Sequence, residues 1–374
     1  MMRYFTHAGF LSWLLFLILI GCSSNPTEMS DVEIVELEEY KTIVSFEENI
    51  LSTPTVLKFD GDSSLFVYDI AESKVIELDT EGNQINEFGR QGQGPGEFGF
   101  INNIYLIEDE LYLIDTGRFL IHRYDRNGTH ISSFDYVEAG YMNDTPPPPF
   151  QIRVMAQDLT HQPHVTQNKD LLLSPFLVGE ADDVIFDQVN WDGEVLSTMG
   201  SVPEGSSFTM SAEYSNSISK REVPALEKPN AFPVNDLSNP DEMFMIYSAI
   251  PKIAKYNFGG ERLWERDITG LAEVDSVSSN IFDVIEGLTP GSRMMFNKYM
   301  AGTSTSNGDL YLAINSNPMT NSSLWIHQFN SSGELTKRYK IESELNIPPI
   351  FDVDPDNRQI FVVTEEAEVR VYDF

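Results

Sequence analysis

Apolar and polar positions alternate along this chain in short runs that break at one recurring turn. The run Val75-Ile-Glu-Leu-Asp79 leads through Thr-Glu-Gly82 into Asn-Gln-Ile-Asn-Glu-Phe88. Ile121-His-Arg-Tyr-Asp125 leads in the same way through Gly128 to Phe134. Three further copies turn at Asn190 and Gly193, at Asn257 and Gly260, and at Asn330 and Gly333. Period-two alternation predicts half-buried strands. The Asp or Asn supplies a side-chain bond to the backbone and the glycine supplies positive φ, as a tight hairpin needs.

Each copy follows another strand-like run: Leu65–Asp69, Leu111–Asp115, Asp170–Ser174, Met243–Tyr247 and Leu310–Ile314. A further strand lies upstream of most of these, as Ile104–Ile107 does before Leu111. A sixth unit closes the chain in Ile350–Val353, Ile360–Thr364 and Val369–Asp373, and stops short of a fourth strand. Tyr40–Phe46 can fill that gap and so remove an exposed sheet edge. Four strands per repeat predict an all-β, six-bladed β-propeller of antiparallel blades, its ring closed by an N-terminal strand. Seven blades are the alternative if a long inter-blade stretch hides a degenerate one. Those stretches lie near 135–165, 201–238 and 270–305, and Val274–Gly287 in the third predicts a short helix.

Phe88-Gly-Arg-Gln-Gly-Gln-Gly-Pro-Gly-Glu-Phe98, with Val67-Tyr68-Asp69 and Lys74-Val75-Ile76, resembles the NHL-repeat propellers. The likeness spans Leu65–Phe134. Lys74 and Leu120 stand where that family usually has arginine. With the leader described next, the chain resembles the six-bladed propeller lipoproteins of Bacteroidota. Six-bladed relatives in the broader family include metal-dependent lactone hydrolases and a lyase, so the resemblance allows an enzyme with its metal at the channel mouth.

Arg3 precedes an apolar run from Phe10 to Ile20, which ends in Gly21 and Cys22, the sole cysteine. This reads as a signal peptide over residues 1–21, too short for a membrane span. Leu19-Ile20-Gly21-Cys22 resembles a lipoprotein lipobox, which implies acylation of Cys22 and membrane anchoring by lipid. Residues 22–31 then form a lipidated tether and 32–374 a single propeller domain. Ser23, by the same resemblance, implies an outer-membrane anchor facing the periplasm. A lone cysteine excludes an intramolecular disulfide.

The formal charge is −34 over 374 residues, and loss of the leader removes only Arg3 among charged groups, giving about −35. Such a surface repels nucleic acid. The expected partners are the membrane through Cys22 and a protein or small molecule.

Propeller topology puts inter-blade connections, and those between second and third strands, on one face, which is the expected binding surface. Candidate contacts there are Glu72, Arg90, Gln91, Asp115, Arg118, Tyr141, Glu365 and Glu366. Catalytic signals are weaker. Gly89–Gly96 lacks the Gly-Lys-Ser/Thr of a phosphate loop. His161 and His164 offer two metal ligands without a nearby third. Asp352, Asp354 and Asp356 alternate like a calcium loop but lack its glycine and terminal glutamate, so a turn is the better account. No cofactor is expected, calcium being the one metal this pattern allows. The scattered histidines assemble no Ser-His-Asp set by sequence alone. The expected function is a non-enzymatic binding or scaffold module, with a metal-dependent hydrolase or lyase the alternative.

Overall fold

The structure, a computed structural model, describes residues 29–48, 50–141, 162–175, 184–207, 213–287, 296, 301–315, 323–342 and 349–374. The leader, Cys22, Pro146–Pro149 and His161 lie outside the described residues. Six sheets follow one another around a ring. In blade one the strands are Pro54–Phe59, Ser64–Asp69, Lys74–Asp79 and Gln84–Phe88, and each pairs antiparallel with the next. Blade two begins at Ile101–Ile107, blade three at His164–Val165, blade four at Ala231–Asn235, blade five at Ala301–Ser304 and blade six at Phe351–Asp354.

The core is a series of apolar wedges between neighbouring blades. Ser64–Asp69 is buried at every position, because both of its faces meet a neighbour. Leu65 and Val67 pack with Phe361, Val363 and Val369 of blade six, while Phe66 and Tyr68 pack with Ile104, Leu111 and Leu113 of blade two. Each such side chain removed from water contributes about 1.5–3 kcal/mol before entropy is counted.

The turn glycines do what the sequence asks of them. Gly82 has φ of 93°, and the Asp79 carboxylate accepts the amides of Glu81 and Asn83. Beyond the turn, one extra residue enters the outer strand of blades one to five: Ile85, Ile131, Leu196, Leu263 and Thr336. The four apolar ones are all exposed.

Ring closure follows expectation. Lys41–Val44 pairs antiparallel with Val369–Asp373 as the fourth strand of blade six. Arg370 stacks over Tyr40 at 4.4 Å beside it. Ile34–Glu36 was not foreseen as a strand; it adds parallel to Leu335–Ile341 as a fifth, outermost strand of blade five. Arg338 holds it there, donating to the carbonyls of Ser30 and Val32.

The inter-blade stretches differ from expectation at their ends. The inner strands His164–Val165, Ala231–Asn235 and Ala301–Ser304 lie inside the ranges read as inserts near 135–165, 201–238 and 270–305. These strands are short and face the channel; His164–Val165 and Ala301–Ser304 carry mostly polar or small residues, and Pro233 interrupts Ala231–Asn235, so none shows the alternation that marks a strand. The third insert holds a helix as expected, here Ala272–Gly287. Its Val274, Val277, Ile281 and Phe282 pack on the wedge between blades four and five.

Candidate functional site: the central channel

The innermost strands have no fifth neighbour, and their free edges surround a cavity of about 330 Å3 lined from all six blades. The polar groups on its wall bond across blade boundaries. Lys58 of blade one reaches Asp352 of blade six at 2.9 Å and Thr303 of blade five at 3.0 Å. Asp352 also accepts the Phe59 amide at 2.8 Å and the Thr303 hydroxyl at 2.6 Å. Thr55 Oγ1, three residues before Lys58 on the same strand, is buried without a partner among the described residues.

A second relay runs through blades two, three and four. Asn235 donates its amide N–H to the Val165 carbonyl at 2.8 Å, which turns its oxygen towards His164 Nε2, also at 2.8 Å. Nε2 therefore carries the ring proton, and Nδ1 accepts from the Tyr105 hydroxyl at 2.9 Å. Asn103 donates to that hydroxyl in turn. Burial lowers the His164 pKa to about 4, against the pull of Asn235, so the ring stays neutral. Burial likewise pushes the Tyr105 hydroxyl well above its ordinary value. The wall thus presents fixed, neutral dipoles on one side and one compensated ion pair on the other.

The residues singled out by sequence are placed differently. Asp115 is not an open contact: it is fully buried, where its oxygens accept the amides of Gly99, Phe100 and Arg118. Arg118 serves the same joint, donating to the carbonyls of Gln93, Gly94 and Glu97 in the glycine-rich segment. That segment has to bend close to a charged clamp, which accounts for its glycines. Tyr141 is buried and donates to Asp187 at 2.9 Å. Arg90 is exposed but paired with Glu97 at 2.6 Å. Glu72, Gln91, Glu365 and Glu366 are exposed.

The carboxylates of the calcium-like pattern have separate tasks. Asp352 holds Lys58, while Asp354 accepts the amides of Asp356 and Asn357 in a turn. His164 has both ring nitrogens engaged, which removes it as a ready metal ligand. Among the described residues no three His, Cys, Asp or Glu side chains are grouped to hold a metal. Lys58, Thr303, Asn235 and Tyr105 were missed by sequence reasoning. One signal was available: Lys58 interrupts Val56-Leu57-Lys58-Phe59, and a cation inside an apolar strand needs a partner.

Comparison with known proteins agrees with the fold. Residues 23–139 match the family model for a 6-bladed beta-propeller. The chain is a six-bladed β-propeller. A Bacteroides fragilis protein described as exported superposes with a TM-score of 0.52 at 12% identity, covering 91% of this propeller and 98% of that chain. A calcium-binding regucalcin from Agrobacterium tumefaciens gives 0.46 at 10% identity, covering 91% and 95%. A streptogramin B lyase gives 0.44 at 13%, covering 90% and 86%. Identities this low speak to the propeller fold alone. No curated protein sequence matches the chain.

Proposed function

We propose that this propeller is a lipid-anchored, extracytoplasmic binding module that takes a small polar molecule in its central channel. The observation that supports this most is the cavity of about 330 Å3 with polar groups converging from separate blades. Small-molecule sites run from about 300 to 1,000 Å3 and combine apolar walls with a few placed polar groups. Val56, Ile104, Phe232 and Val234 supply such walls here. Lys58 spends two of its three N–H donors on Asp352 and Thr303, which leaves one for an acceptor on the ligand.

The address rests on the run ending Leu19-Ile20-Gly21-Cys22, with Cys22 as the acylated residue. The Bacteroides fragilis relative described as exported fits that reading.

Native mass spectrometry of the chain purified from membranes tests the proposal. A small-molecule adduct is expected in the wild type and lost in Lys58→Met, while the folded charge-state envelope persists. An adduct retained by Lys58→Met would move the site away from the channel. If neither the purified chain nor the chain mixed with a panel of small polar metabolites showed any adduct, the binding reading would fall.

A further inference from the structure

Blade two carries a chain of side chains that propeller architecture does not require. His122, on Leu120–Asp125, pairs directly across from Ser133 on His130–Asp135. Its Nδ1 lies 2.8 Å from Ser133 Oγ, and its Nε2 lies 3.2 Å from Asp115 Oδ2. His130 Nε2 reaches the same hydroxyl at 2.9 Å. The bulge at Ile131 permits this meeting, because it resets the alternation so that His130 and Ser133 share a face.

Valence fixes the direction of every link. The Asp115 oxygens already accept three backbone amides, so the bond to His122 is an N–H donated from Nε2. In the neutral ring Nδ1 is then an acceptor, and it takes the Ser133 hydroxyl proton. The Ser133 oxygen accepts from His130 Nε2–H. Burial, His122 and Arg118 keep His130 below the ordinary histidine value, against a backbone bond at Ser132. Asp115 and His122 are buried while Ser133 is exposed, so the hydroxyl meets solvent and its base does not.

The repeat itself supplies the control. The cross-strand pairs equivalent to His122 and Ser133 are Ile76 with Glu87, Asp187 with Thr198, Ala254 with Glu265, and His327 with Arg338. Blades form with any of these, so the fold does not demand a histidine facing a serine.

We propose that Ser133 is a nucleophile, activated by His122 and Asp115, that hydrolyses small carboxylic esters at the rim of blade two. Ser133 Oγ bonds to the ester carbonyl carbon as its proton passes to His122 Nδ1. The charge gained by the ring is balanced by Asp115 through Nε2–H. His130 Nε2–H, released from Oγ, is the donor at hand for the carbonyl oxygen. The carbon–oxygen bond to the alcohol then breaks, and the alcohol leaves with the proton from Nδ1. Water attacks the acyl-serine, gives its proton to Nδ1, and restores Oγ–H as the carboxylic acid departs. This site lies apart from the channel and stands or falls independently of ligand binding there.

The test is labelling of the full chain with a fluorophosphonate probe, read by intact mass and peptide mapping. One adduct at Ser133 is expected, formed at least 100-fold faster than at the exposed turn serines Ser63 and Ser332, and lost when the chain is unfolded. Ser133→Ala should abolish it, and His122→Gln should slow it about 100-fold or more at a temperature where the variant is folded. Labelling of Ser133 at the rate of Ser63 in the folded wild type would overturn the proposal, even if His122→Gln failed to fold. An unchanged rate in folded His122→Gln would overturn it equally.

Discussion

The carboxylate of Asp69 gathers four backbone amides. Ser52 and Thr53, which lead into the inner strand of blade one, donate to Oδ2, and Ala71 and Glu72 donate to Oδ1. The residue has no exposed surface. In Asp69→Asn one oxygen becomes an NH2 group, which sets donor against donor at two of the four amides. A hydrogen bond to a charged group contributes about 1.5–3 kcal/mol, so losing two costs about 3–5 kcal/mol after partial relaxation. In a chain of this length that corresponds to a fall in Tm of about 4–7 °C. Asp79→Asn is the matched control. At its exposed turn Oδ1 accepts the amides of Glu81 and Asn83 and Oδ2 accepts the Asn83 side-chain N–H, an amide that can turn over to offer its oxygen to the new NH2, and asparagines 190, 257 and 330 cap the same turn in other blades. It should change stability by less than about 0.5 kcal/mol. Urea unfolding followed by tryptophan fluorescence and calorimetry reads both. A loss below about 1 kcal/mol in Asp69→Asn, or equal losses in the two variants, would refute the assignment of Asp69 as the clamp between blade and joint.

Two further outcomes follow from the closure and the channel. In Gly82→Ala the new Cβ would lie 1.8 Å from the Ile43 carbonyl oxygen at a φ of 93°, so the closing strand must shift. A loss of about 2–4 kcal/mol is expected, with amide exchange accelerated first in residues 41–44, and unchanged protection there would contradict the packing described. His164, with its pKa lowered to about 4, binds its proton more weakly folded than unfolded. Stability is therefore full above pH 6.5 and declines as pH falls towards 4, by about 3 kcal/mol over that window. His164→Gln should flatten this segment of the stability profile, and an unaltered slope would place its origin elsewhere.

The sequence exposed what local periodicity encodes. The hairpins at Gly82, Gly128, Gly193, Gly260 and Gly333 carry alternation and turn chemistry within about fifteen residues, so both strands and turns were legible. The closing strand Lys41–Val44 was legible because blade six lacked a partner for Val369–Asp373. Inner strands such as His164–Val165 were hidden, since channel-facing positions suit polar and small residues as readily as a loop does. Ile34–Glu36 gave no sign because three residues are too few to show a period, and the strand is held by Arg338 and by Val35 against the core. The channel wall was illegible for a topological reason: Lys58 meets Thr303 and Asp352 only once the ring has closed. The group of Asp115, His122 and Ser133 required the exact register of two hairpins.

Blade six joins segments far apart in sequence, with Lys41 opposite Val371. A chain delivered N-terminus first, from a ribosome or through a membrane pore, therefore holds its closing strand unpaired until residues 369–373 have emerged. Blades one to four can pair their strands as they arrive, but Ile34–Glu36 waits for blade five and the seam of blade six waits for loop closure between residues 44 and 369. The seam thus reports whether the chain has reached residue 369. A prematurely terminated chain lacks the partner for residues 41–44, keeps an open sheet edge, and is distinguishable to a protease from the finished ring.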